Sequence, residues 1–287
     1  MKKNNLIIFL VVFGAFSITF VRDGILHSFG LYLIPITEHL NVGREIFGFA
    51  FATQVFLMGF GAIVFGALSD KYGTGIAVFL GTILFIIGLL WFANVKSSFD
   101  IIGSQLLIGF GSAGSGASVV LGAVGRTARK ENRTFYLGIV MVGASLGQFI
   151  ILPISSLLIN WFQWSTSLIY LSIFSGTIIL LSFALNFSSK SELSVEGTNQ
   201  SVREALFEAC RSRSYILLTL GFFVCGFHVT FVAVHLPAYI EDQNLPPGIG
   251  GWALALIGLF NIAGSLFFGY MGDHISKKNL LALLYSL

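Results

Sequence analysis

The sequence predicts an all-α membrane protein, and three observations carry that prediction. Of 287 residues, 55% are hydrophobic, only 10% are charged and 30 are phenylalanine, whereas soluble domains carry about a quarter charged residues. Apolar runs of roughly 20 residues, enough to cross a bilayer, recur along the whole chain. One stretch also occurs twice, as Gly61…Phe65-Gly66…Asp70 and Gly264…Phe268-Gly269…Asp273. In both copies a small residue, a glycine and an aspartate recur at four-residue steps (Ala62, Gly66, Asp70; Ser265, Gly269, Asp273), so each set lies on one helical stripe. Such a stripe predicts close helix approach, with the carboxylate at one membrane face.

The apolar runs lie at 6–36, 46–69, 76–94, 99–125, 134–160, 165–187, 214–240 and 250–271, with 279–287 reading as a ninth that is cut off. Alternate loops should be basic if this assignment is right. Lys2, Lys3, Lys71, Arg126, Arg129, Lys130, Arg133, Lys190, Arg203, Arg211, Arg213, Lys277 and Lys278 fall on one side, against Arg44 and Lys96 on the other. The bias places the amino terminus in the cytoplasm and the chain in the cell (inner) membrane as a multi-pass protein, with the lipid bilayer as its solvent. The net charge of +3 therefore reflects topology, and no nucleic-acid partner is implied. Residues 1–20 resemble a signal peptide but lack a small-x-small cleavage site, so they read as an uncleaved first helix. Cys210 in a loop and Cys225 in a span imply no disulfide.

Residues 188–201 are polar and serine-rich and separate six spans from the rest. Ser201-Val202-Arg203-Glu204 reads as a capping box, followed by apolar residues at helical spacing, which predicts a short helix on the cytosolic membrane surface. The domains expected are a six-helix bundle at 1–187, a linker with an amphipathic helix at 188–212, and an incomplete second bundle at 213–287. Six spans, a cytosolic linker and a second half that restates the first describe a transporter built from repeats.

Gly66-Ala67-Leu68-Ser69-Asp70-Lys71-Tyr72-Gly73 resembles the loop signature of the major facilitator superfamily, and Gly269-Tyr270-Met271-Gly272-Asp273-His274 resembles its weaker second copy. Ser28-Phe29-Gly30-Leu31-Tyr32-Leu33, Phe222–His228 and Ile257–Ser265 are similar to the branch holding monocarboxylate transporters and oxalate/formate antiporters. The resemblance implies a twelve-helix fold of which this chain carries about eight or nine helices, truncated at its carboxyl end. It also implies alternating access by two rocking bundles, with Gly66, Asp70, Gly73, Gly269 and Asp273 as the structural and gating motif. The substrate implied is a small organic anion, a monocarboxylate or dicarboxylate, with a coupling proton or a counter-substrate and no cofactor. Departures from the branch matter: His27 stands where a helix-one lysine is usual, Asn261 and Ser265 replace an acid and an arginine in helix eight, and Gln105 occupies a helix-four arginine position.

Depth selects the candidate binding residues. At ~1.5 Å per residue, Gln148 and Asn261 fall near the bilayer midplane, where they either bind substrate or bond one helix to another. Arg22-Asp23-Gly24 interrupts the first span, with Asp23 and His27 four residues apart on one face. A charge at that depth needs a partner or a wet cavity; the alternative reading ends the helix at Val21. His228, deep in the seventh span, is a ligand, a proton group or a structural hydrogen-bonding residue, whereas His235 reads as a rim residue. Tyr32 is placed at the outer edge of the site. Substrate-binding candidates are thus Arg22, His27, Tyr32, Gln148, His228 and Asn261.

An intramembrane enzyme is the weakest alternative, because no histidine in helices two to six stands by Ser112, Ser115 or Ser118 to activate a nucleophile, and no metal-ligand spacing is present. A truncated, non-transporting remnant or a membrane receptor is the other. Finally, Asp273 is expected to meet the turn around 132–134 at the start of helix five, while Asp70 is expected to face solvent or its own loop.

Overall fold

The computed structural model describes residues 2–129, 133–186, 202–246, 248–274 and 276–286. The first crossing is α1 (Lys2–His27), a 3-10 turn (Ser28–Tyr32) and α2 (Leu33–Leu40). It is followed by α3 (Arg44–Tyr72), α4 (Thr74–Ala93), α5 (Ser98–Gly114), α6 (Ala117–Thr127), α7 (Arg133–Leu185), α8 (Val202–Arg211), α9 (Arg213–Asp242), α10 (Gly248–His274) and α11 (Lys277–Ser286). No strand occurs among the described residues. Helices dominate because no water reaches the bilayer core to satisfy backbone N–H and C=O groups.

Among the described residues, seven helical stretches are long and apolar enough to cross a membrane, and one of them crosses twice. At 53 residues, α7 would be on the order of 80 Å long if straight, more than twice the hydrocarbon core. The break is at Gln163, whose φ of 68° and ψ of 162° are not helical. Its two arms run in opposite directions along α1. Gly143 lies against Phe16, Gly147 against Phe20 and Ile151 against Gly24, so the first arm climbs with α1, whereas Ser167 meets Tyr32 and Ala184 meets Gly14. Eight crossings result, in agreement with the sequence reading. The ninth is the ten-residue α11.

The helix does not end at Val21, since α1 runs on through Arg22 and Asp23 to His27. The linker at 188–201, with the first residue of the capping box, lies outside the described residues. The short helix expected after it is α8, in which the Arg211 guanidinium sits 4.4 Å from the centre of the Phe207 ring.

The core lies among α1, α3, α4, α5 and both arms of α7. Near the end of the bundle farthest from the amino terminus, Phe29 packs edge-on to Phe51 and Tyr32 and tilted against Phe92, with centroids 5.8–6.5 Å apart. Lipid tails are as apolar as these rings, so what burial gains here is close packing rather than escape from water. Several buried hydroxyls are satisfied within their own helices: Thr37 donates to the Leu33 carbonyl and Thr82 to that of Val78, both at 2.7 Å.

Glycine sets how closely the helices approach. A Cβ on Gly109 of α5 would lie 2.2 Å from the Gln54 carbonyl oxygen of α3, and one on Gly81 of α4 would lie 2.6 Å from the Gly114 Cα. Gly176 has nothing within 4 Å of such an atom. Gly109→Ala should therefore push α3 and α5 apart, destabilise the protein by about 1–3 kcal/mol and lower its melting temperature in detergent. Gly176→Ala should be neutral or raise it, because alanine favours a helix by up to about 1 kcal/mol over glycine.

Candidate functional site

The last two full crossings touch the first six at one end only. At the face away from the amino terminus, Gly30 sits on the Ala233 carbonyl, where an added Cβ would be 2.1 Å from the oxygen. The same face carries an Arg44–Asp242 ion pair. Along α10, Gly251 packs on Ser156 and Gly258 on Ser145, Gln148 and Phe149. Beyond Gly258 the side chains of α10 become mostly exposed, and α9 is exposed almost continuously from Arg213 to Phe231. A crevice therefore opens toward the face that holds the amino terminus. An apolar groove of about 510 Å³ runs between α3 and α9, lined by Phe51, Val55, Phe223, Phe227, Phe231 and His235 among others.

Arg22 lies at the level where the fourth crossing is broken. α5 ends at Gly114 and α6 begins at Ala117, and the Gly116 N–H turns to the Ala113 carbonyl at 3.1 Å. That leaves the Ser112 carbonyl without its helical donor. Arg22 Nε fills the position at 3.2 Å, assisted by the Ser115 hydroxyl at 3.4 Å. Arg22 Nη1 donates to Asp23, and Nη2 points at Met58 Sδ, 3.1 Å away. All three nitrogens are engaged, and the residue is 6% exposed. His27 closes α1 and is half-buried; Asp23 pairs with Arg22 rather than with it.

Tyr32 is fully enclosed in the first bundle, with its hydroxyl 2.7 Å from Ser167 Oγ on the second arm of α7. Gln148 is buried and bridges the halves, its Nε2 donating to the Leu254 carbonyl at 3.2 Å. Asn261, seven residues after Leu254 and so on nearly the same stripe of α10, is exposed just past the point where packing on α7 stops. His228 is exposed in the open stretch of α9. His235 lines the apolar groove with its ring tilted against Phe231, centroids 4.9 Å apart. The structure thus gathers Arg22 and Asp23 in one place and Gln148 and Asn261 in another, with His228 on a separate wall and Tyr32 behind the packing.

The repeated motif needs one correction. Asp70 does face solvent, its side chain 74% exposed, but it is not confined to its own loop: its carboxylate accepts from Arg126 Nη1 at 3.1 Å. Gly73, with φ 101°, ends α3 and starts α4. The turn brings Ser69 Oγ to within 3.0 Å of Thr74 Oγ1, and Arg126 Nη2 donates to both, at 3.2 and 2.7 Å. Arg126 at the end of α6 had counted only as one more basic loop residue. Gly66 meets nothing within 4 Å, and the close contact falls to its neighbour Gly61, against Ala113 and Phe110. The side chains of Gly269 and Asp273, and residue 132, lie outside the described residues.

Two glutamines stand out that sequence reasoning weighed little or not at all. Gln105 is 1% exposed and neither of its amide atoms has a hydrogen-bond partner; Gln54, 3% exposed, has an unpartnered Oε1. Both lie where α5 packs on α3. Gln54 carried a signal, as an isolated amide in an apolar run.

Comparison with known proteins extends this geometry. Monocarboxylate transporter 13 of Bos taurus is 24% identical over 269 residues, covering 93% of this chain and 62% of that protein. The MFS-type transporter pynF of Aspergillus niger is 23% identical over 276 residues, covering 96% of the chain and 63% of that protein. This chain therefore spans about three fifths of the length of these curated relatives. Among solved structures, an inward-facing, unoccupied bacterial homologue of the human lysosomal transporter Spinster superposes with a TM-score of 0.67 at 13% identity, covering 96% of this chain and 64% of that one. A D-xylose–proton symporter gives 0.65 at 14% identity, covering 94% and 70%. These likenesses show the fold, and a match of residues 6–287 to the Major Facilitator Superfamily shows that the chain belongs to that family.

Proposed function

We propose that this chain serves secondary active transport of a small organic anion, a monocarboxylate or dicarboxylate, by alternating access. The observation that carries the reading is the crevice between the first six crossings and the α9–α10 pair, closed by Gly30, Ala233 and the Arg44–Asp242 pair at one face and open at the other. Polar side chains in otherwise apolar walls support a small polar guest, and relatives named monocarboxylate transporters support an anionic one. The bias of basic residues supports a cytoplasmic amino terminus in the cell membrane. The packing of α1 to α7 supports a six-helix unit over 1–187, followed by a linker region over 188–212 and the second-half helices over 213–287.

In this reading Arg22 supplies positive charge to the anion, and His27, Gln148, Asn261 and His228 supply hydrogen bonds. Gln148 donates to Leu254 while the halves are apposed, and that donor becomes available when they part. Arg22 is already held by Ser112, Asp23 and Met58, so it contributes by fixing the break in the fourth crossing as well as by charge. Tyr32 bounds the outer end and reaches a substrate only if its bond to Ser167 opens. A proton or a counter-substrate drives the cycle.

The test is uptake of 14C-labelled pyruvate and oxalate into proteoliposomes carrying the protein expressed from its full reading frame. Saturable uptake of either is expected. His27→Ala should raise KM roughly ten- to hundred-fold, the loss of one hydrogen bond to a charge, whereas Arg22→Ala should mainly lower the maximal rate. No uptake of either anion by the unsubstituted protein overturns the substrate class, and full uptake by both variants moves the site away from helix one.

Gln105→Leu separates a structural amide from a functional one. It removes two buried polar atoms that have no partner, so it should stabilise the protein by about 1–2 kcal/mol and leave uptake unchanged. A raised melting temperature accompanied by lost uptake would place Gln105 in the substrate path.

A further inference from the structure

The two helices that touch most closely at Gly109 diverge toward the face away from the amino terminus. α3 and α5 run in the same direction, since Gly109 meets Gln54 and, further along both, Ala113 meets Gly61. At their first turns they leave a groove of about 470 Å³, lined by Glu45, Ile46 and Phe49 from α3 and by Ser98, Phe99 and Ile102 from α5. Its polarity is ordered along the helix axes. Glu45 and Ser98 stand at the mouth, and Phe49 and Ile102 lie four residues, ~6 Å, deeper. The walls of the groove face outward from the bundle, with Phe99 85% and Phe49 60% exposed. A slot that is polar at the membrane surface and apolar below it has the order of a lipid molecule in that leaflet, head outward and chain inward.

The charges at the mouth select the headgroup. Arg44, beside Glu45 in sequence, is taken by Asp242, and among the described residues no cation pairs with Glu45. The Glu45 carboxylate folds back against Gly43 in the loop before α3, at the level of the membrane surface. Asp100, the other acid of this corner, is turned to α4, where it accepts from Trp91 Nε1 at 3.1 Å, and to the Ser97 hydroxyl at 2.8 Å. Glu45 is therefore the acid left for a guest, and Lys96, exposed two residues before Ser98, puts a positive charge on the α5 side. A headgroup with an ammonium at one end and a phosphate at the other complements that arrangement. A primary ammonium donates charge-assisted hydrogen bonds to a carboxylate, whereas a quaternary one has no N–H to give and is held by aromatic faces instead.

We propose that this groove binds a phosphatidylethanolamine molecule, with its ammonium on Glu45, its phosphate beside Ser98 and Lys96, and one acyl chain between Phe49 and Ile102. The chain fills the wedge that α3 and α5 leave open beyond their contact at Gly109. The site lies within the first six crossings and is independent of the solute transported.

Native mass spectrometry of the protein expressed from its full reading frame, with dioleoyl-phosphatidylethanolamine, -phosphatidylcholine or -phosphatidylglycerol added in detergent, reads the preference. The ethanolamine lipid should bind about two- to five-fold better than either of the others, the range for an exposed ion pair. Glu45→Gln should bring the ethanolamine and choline lipids to parity. A phosphatidylethanolamine carrying a diazirine in its acyl chain should label the peptide that holds residues 98–102, and Ile102→Trp, which fills the slot, should remove that label. Should Ile102→Trp fail to fold, the label on the parent protein and its loss in Glu45→Gln give the location. Equal binding of the ethanolamine and choline lipids by the parent, a preference for phosphatidylglycerol, an ethanolamine preference that survives Glu45→Gln, or labelling confined to other peptides would each overturn the proposal.

Discussion

A carbonyl in the middle of a bilayer has no water to turn to, and the fourth crossing exposes one. Its helix stops at Gly114 and restarts at Ala117, so the Ser112 oxygen must find a donor from elsewhere. It finds Arg22, and much of the first bundle follows from that bond. The guanidinium draws helix one toward helices two and four, Asp23 neutralises it, and Met58 completes its shell. A buried charge in lipid is costly unless it is paired, so the break in one helix and the charge in another make each other tolerable. Around it, Gly109 lets α5 close on α3 and Gly147 lets α7 close on α1.

The second half is attached by a different principle. Between α9–α10 and the first bundle, α10 packs on α7 from Gly251 to Gly258 and α9 meets the turn that follows α1, with Gln148 to Leu254 and Arg44 to Asp242 as the polar links. Each is a hydrogen bond to a neutral carbonyl or a half-exposed ion pair, in the class that contributes on the order of 1 kcal/mol. The polar links between the two parts are thus individually modest, as the proposed rocking of one against the other requires.

How much of this was legible beforehand depended on the range of each interaction. The crossings were readable because lipid imposes one requirement on every residue in them, so composition over 20 positions suffices. The turn at Gln163 carried no glycine or proline, yet the gap in hydropathy between 160 and 165 located it. By contrast, the partner of Asp70 is 56 residues away in sequence, and nothing local marks Arg126 as more than a topological charge. Likewise the stripe of Ala62, Gly66 and Asp70 was correctly placed on one helical face, but the contact is made by Gly61, one position round the helix. Periodicity gives faces to about one residue, and packing decides which residue of the face is used.

The candidate site illustrates the same limit from the other side. Depth assigned Arg22, Gln148 and Asn261 to the middle of their spans, but depth is blind to engagement. Arg22 spends its donors on a carbonyl, an aspartate and a sulfur; Gln148 spends one on the opposite half; Asn261, one turn past Gly258, is exposed where the halves have parted. A substrate that met this arrangement would find Asn261 free at once and Gln148 only after the halves had begun to separate. Binding at the first and release of the second would then be coupled through α10, because Leu254, Gly258 and Asn261 are on one stripe of one rigid helix. That coupling is what distinguishes a polar residue that merely glues two helices from one that lets a guest change how they sit.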